Sequence, residues 1–422
     1  MSKKSLIILV TFLLILFGGA IAYLFLSIKP STIVDTNTVE DGNSNPFPFG
    51  NGIFGGGNRA TSTGTGSGNR PPVSGTTRPI LQHLSLVPVA GAGIYTSGSS
   101  TVVRYIERGT GYIYQNKVGE TEAIKLSNTP MIKIYDAFWT DKNNALIIQK
   151  LKDDAQTIDS FLVTMSSPSL LQASSTSLEG SLSSKITPSF LGSNIQGFVL
   201  SPAKDRIAYL TSNTTGGVVG IISKTDGSKK VQIFDSSLKS WLVEWPTENT
   251  LTFTTKALSN SPGFLYFVST LTNATTKILG GINGLTTLTN TDTSKVLFSN
   301  STEDGLALFV YDTKKNRVEP AGLTTLPEKC VWSKKEKTVL YCGVPLVITA
   351  GKYPDAWYQG KVLFSDEIWK IDTLSGVFEW VADLKNLSGQ DIDITHLMLS
   401  GREDLLVFIN KADLTLWSFD LR

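Results

Sequence analysis

The sequence predicts an all-β fold, a seven-bladed β-propeller closed by an N-terminal strand and preceded by one transmembrane helix and a disordered linker. Three observations carry this expectation. An apolar run closed by an aromatic or aliphatic residue recurs at Tyr105, Ile148, Tyr209, Phe253, Phe298, Tyr341 and Phe408. The steps between these markers are about 43, 61, 44, 45, 43 and 67 residues, and a four-stranded blade takes about 40–45, so two units carry insertions. Residues 5–28 hold no charged side chain, and residues 29–78 are dominated by Gly, Ser, Thr, Asn and Pro.

At about 1.5 Å per residue the segment 5–28 reaches roughly 36 Å as a helix, enough to cross a hydrocarbon core of about 30 Å with some tilt. Lys3 and Lys4 precede it, within the cytoplasmic stretch 1–4, and Lys29 alone follows before Asp35, Glu40 and Asp41. The positive-inside rule then places the amino terminus in the cytoplasm and the rest outside. Ala20-Ile21-Ala22 has the look of a signal-peptidase site, but Tyr23-Leu24-Phe25-Leu26 continues the apolar run past it, which argues for a retained anchor. The linker has too few branched apolar residues to offset backbone entropy by burial. As a flexible tether of roughly 50 residues it would span about 40 Å on average. Phe47, Phe49 and Phe54 are scattered within it.

From residue 79 to 422 each unit pairs an apolar stretch, a polar turn and an alternating strand, as in FVLSPAKDRIAY, CVWSKKEKTVLY and LMLSGREDLLVF. Third strands follow, among them Ile368-Trp369-Lys370-Ile371 and Leu416-Trp417-Ser418-Phe419, and fourth strands such as Val377-Phe378-Glu379-Trp380. The seventh unit shows no fourth strand of its own, whereas Ile80 to Ser85 forms a spare strand ahead of the first unit. Pairing these two would hide both edges of an open array.

WSKKEKTVLY and SPAKDRIAY resemble the WSPDGKxIAF signature of WD40-like, TolB-type propeller repeats, and the likeness runs at blade level over about residues 80–422. No repeat keeps an intact Pro-Asp-Gly turn, so the resemblance bears on fold. The layout is also similar to uncharacterised membrane-anchored propeller proteins of bacteria.

With 38 basic and 36 acidic residues interspersed, the chain lacks the basic stripe of a nucleic-acid binder. Its two histidines, His83 and His396, fall in separate strands without the spacing of a metal site. No catalytic, cofactor-binding or metal-binding constellation stands out. Asp136, Glu244, Asp391 and Asp393 lie on or near innermost strands, and acid–base work would need two of them about 5–10 Å apart facing a cleft. Cys330 and Cys342 bracket one hairpin; if its turn centres near Glu336 they face each other, so they are either a disulfide, permitted by export, or two buried thiols. The sixth-unit insertion carries Tyr353, Asp355, Trp357 and Tyr358, either a partner-binding surface or rings folded back over the blade. The functional expectation is a non-catalytic module binding an envelope protein or a cell-surface polymer. The alternative is a hydrolase or lyase acting on surface glycans through channel carboxylates.

Overall fold

A computed structural model describes residues 79–98, 100–140, 144–166, 184–303 and 305–422. The expected membrane helix and linker lie outside these residues. Among the described residues no helix is long and apolar enough to cross a membrane.

Twenty-eight strands form seven antiparallel four-stranded sheets. The innermost strands of blades 1 to 7 are Val89–Ser97, Ile134–Trp139, Gln196–Leu200, Trp241–Thr247, Thr286–Thr289, Cys330–Trp332 and Ile394–Leu399. The outer strand of blade 7 is Leu81–Ser85, which pairs antiparallel with Leu416–Asp420, Leu81 opposite Phe419. The ring is therefore closed by the segment the sequence left spare. All seven rhythm markers sit on the second strand of their blades.

Those second strands explain the rhythm. In blade 7, Leu405, Val407 and Ile409 pack against blade 1, while Leu406 and Phe408 pack against blade 6. Successive side chains leave a strand on opposite faces, so a strand sandwiched between two blades must be apolar at every position. One apolar cluster fills each of the seven seams between blades, so the core is a ring of seven interfaces. Near the axis the inner strands crowd: a Cβ on Gly91 would fall 2.1 Å from the carbonyl oxygen of Ala137, so only glycine fits.

An eighth cluster lies under the blade 6 insertion, where Leu306, Leu326, Tyr353, Trp357 and Phe364 are buried together. This insertion, between strands Val339–Pro345 and Asp366–Asp372, contains a short helix, Asp355–Tyr358. It reaches across the ends of several blades. Asp355 Oδ2 accepts from Ser259 N at 3.0 Å and from Ser259 Oγ at 2.7 Å, in blade 4. Gly284, leading into blade 5, has φ 63°, and a Cβ there would lie 2.8 Å from the Tyr353 carbonyl oxygen. Of the two arrangements the sequence leaves open, Tyr353 and Trp357 take the folded-back one, 1% and 3% exposed, because burying large aromatic surface outweighs the cost of ordering the loop.

Candidate functional site

The chemistry-bearing groups gather where the inner strands of blades 5, 6 and 7 begin, beneath that insertion. A 3-10 turn, Pro327–Lys329, leads into the inner strand of blade 6 and delivers Glu328 and Lys329. Lys329 is wholly buried. Its Nζ pairs with Asp366 Oδ2 at 2.7 Å and with Asp393 Oδ1, and donates to the Ile394 carbonyl at 3.1 Å. Trp357 Nε1 donates to Asp393 Oδ2 at 2.9 Å, and Phe364 N donates to the same oxygen at 3.1 Å. Two carboxylates thus share one ammonium; the Trp357 indole and the Phe364 amide fill the second oxygen of Asp393, and the Ile394 amide donates to the Asp366 oxygen that meets Lys329. Asp366 Oδ1 is buried without a hydrogen-bond partner, and burial pushes the Asp366 carboxyl up to about 6 despite Lys329.

Beside this knot lies a second acidic pair. Glu328 accepts from Tyr358 Oη through one oxygen and from Thr286 Oγ1 at 3.0 Å through the other. Glu244, on the inner strand of blade 4, accepts from Thr289 N at 3.0 Å and Thr252 Oγ1 at 3.3 Å through Oε2. It keeps partial exposure, yet the ring walls it in. Burial lifts its carboxyl to about 7, with Glu328 adding repulsion, and burial also raises Glu328 itself. Thr286 and Thr289 flank the single strand that links the two acids.

Farther along the inner strands, Asp136 and His396 line a cavity of about 250 Å³ whose walls include Ala92, Phe138, Leu200 and Met398. Burial raises the Asp136 carboxyl against the opposing pull of His396 and Arg108. His396 has φ 51° at a bulge in its strand, a left-handed backbone that directs the side chain off the regular ladder. His83 instead stacks on Trp417 in the closing blade, centroids 3.9 Å apart.

Of the four expected carboxylates, the structure does not assemble a common site. Asp393 is spent on Lys329 and Trp357; Asp391 lies on the surface, 2.9 Å from Lys385; Asp136 and Glu244 occupy different stretches of the wall. Glu328, Lys329, Asp366 and Thr286 were missed, since Lys329 and Asp393 stand 64 residues apart and only the ring brings them together. A Glu-Lys pair placed directly before an apolar strand, as in EKCVW, was the available signal. Cys330 and Cys342 lie opposite each other in register and are joined by a disulfide.

No protein-family model matches the chain, and no curated protein sequence matches it. Similar solved structures exist. The tricorn protease is 10% identical at a TM-score of 0.49, the match covering 79% of this chain and 33% of that one, so the chain spans about a third of it. Oligogalacturonate lyase from Vibrio parahaemolyticus is 10% identical at 0.47, covering 80% and 98%. TolB from Acinetobacter baumannii is 10% identical at 0.41, covering 78% of each. Likeness at this level carries no argument about role; the chain is a seven-bladed propeller by its own sheet topology, and TolB is among the structures it is similar to.

Proposed function

We propose that this propeller is a non-catalytic binding module, held at a membrane by residues 5–28 and displayed outside the cytoplasm, whose partner is an envelope protein or a cell-surface polymer. One observation carries the reading: Lys329, Asp393 and Glu328 at the insertion-covered end of the ring are engaged within the protein, so they stabilise a frame. Lys329 is matched by Asp366 and Asp393, and both Glu328 oxygens are taken. A larger concave surface lies between blades, in the cleft of about 550 Å³ beside Leu162, Arg206, Lys224 and Lys229. Loops and clefts on a rigid frame suit recognition. The test is proximity crosslinking in intact cells with the full chain, together with protease accessibility of the propeller from outside. Specific neighbours and external cleavage support the reading; a propeller that is protected outside, or that captures nothing, sinks it.

The glycan hydrolase or lyase reading has one observation in its favour, the Glu244 carboxyl raised to about 7 beside Glu328. A carboxyl so raised suits general acid chemistry near neutral pH. Turnover of purified surface glycan that Glu244→Gln abolishes, while the variant keeps its melting temperature, would establish it over the binding reading.

A further inference from the structure

The outer strand of blade 6 leaves two aromatic rings in water. This strand, Val377–Asp383, pairs with Asp366–Asp372 so that Trp380 stands opposite Trp369 and Phe378 opposite Ile371. These four side chains share one face, and Ile371 packs with Leu308 and Val310 of blade 5, so that face looks toward blade 5. Blade 5 covers it incompletely. Its own outer strand, Arg317–Pro320, has four residues against seven in blade 6, a shortfall of roughly 10 Å at about 3.3 Å per residue. Phe378 and Trp380 are left 47% and 53% exposed.

These rings are held in place. Glu367 accepts from Trp369 Nε1 at 3.0 Å through one carboxylate oxygen and from Trp380 Nε1 at 3.0 Å through the other. Phe378 leans on Trp369 with centroids 6.2 Å apart and rests over Gly322, where a Cβ would come within 2.9 Å of the ring. With both indole N–H groups engaged, what the surface offers a partner is ring faces at little entropic cost. Glu367 shares the face of the rings and Asp383 stands opposite it in register, while Asp372, Glu379 and Lys370 alternate to the other face, so the charge beside the rings is negative. Negative ring faces set among carboxylates attract cations and repel anionic headgroups and polyanions.

We propose that this face docks an arginine- or lysine-bearing segment of a partner protein, its cation lying over Trp380 and Phe378 and its charge answered by Glu367. The inference rests on the binding reading and gives it a partner chemistry. The full chain is titrated with a synthetic peptide carrying three arginines spaced by Gly and Leu, and with the same peptide bearing citrulline instead, followed by calorimetry and tryptophan fluorescence. The arginine peptide should bind saturably and more weakly as salt rises, and both the citrulline exchange and the Phe378→Ala, Trp380→Ala double variant should weaken it by roughly tenfold or more. Glu367→Gln should weaken it by a smaller factor. Equal binding of the two peptides, binding unchanged in a double variant that melts like the parent, or no saturable binding at millimolar peptide would overturn it. So would self-association of the parent that the double variant abolishes, since that assigns the face to a second copy. Crosslinking in cells separates the two levels: a double variant that keeps every neighbour removes this surface alone, whereas a parent that captures nothing removes the binding reading beneath it.

Discussion

Two parts of blade 6 hand indole N–H groups to a carboxylate, and their surroundings are opposite. Under the insertion, Trp357 donates to Asp393, which also meets Lys329, and every partner is sealed from water. At the rim, Trp369 and Trp380 donate to Glu367, which among the described residues has no ion-pair partner, and Trp380 stands half exposed. The same local bond therefore serves two ends. Where a cation completes it, the cluster locks the insertion to the ring; where none does, the charge and the ring faces remain available. A buried charge must be matched within the protein, while a charge in water need not be.

The largest expected effect tests the sealed side of this contrast. Lys329→Met leaves Asp366 and Asp393 buried without their counter-ion and should cost roughly 3 kcal/mol or more in urea unfolding, whereas Trp380→Ala should cost less than about 1 kcal/mol. A reversed order would break the comparison.

Next in size is a pH dependence. Native Glu244 titrates near 7 against 4.5 when exposed, so between these values the folded protein keeps a proton that the unfolded chain has released. Stability should therefore fall as pH rises from about 4.5 to about 7 and level off above, by at most about 3 kcal/mol, partial wetting making this an upper bound. Burial shifts Glu328 in the same direction. Glu244→Gln should flatten the slope in thermal melts taken across that range; a slope of opposite sign in the parent would show that Glu244 is solvated.

Smaller still is the crosslink. The disulfide closes a short stretch, with a sequence separation of 12, across strands already paired, so replacing both cysteines with serine should cost about 2–3 kcal/mol at most and leave the ring intact. Alkylation of the folded, unreduced protein should add no mass. Two modified thiols would show that the pair is open in the mature protein.

The ring was legible because its signal is periodic and repeated: seven second strands buried on both faces must be apolar, and each marker, from Tyr105 to Phe408, reports one of them. Closure by Leu81–Ser85 was legible for the same reason, since a missing strand at one end matched a spare one at the other. The fate of the insertion was not. Tyr353 and Trp357 read equally well as displayed or folded back, and the deciding partners, Leu306, Leu326 and Asp393, belong to other blades or to the connections between them. The Glu367 clasp was hidden similarly, for its two indoles are near in sequence but their sharing of one carboxylate depends on the Trp369–Trp380 register.

The closing strand has a mechanical meaning. Leu81–Ser85 is the first described strand and is zipped to Leu416–Asp420 at the rim of blade 7, so any tension carried by the chain ahead of residue 79 reaches the ring through these five residues. A pull from that side would load the latch before any other blade, through the seam by which the polypeptide first joins its own circle.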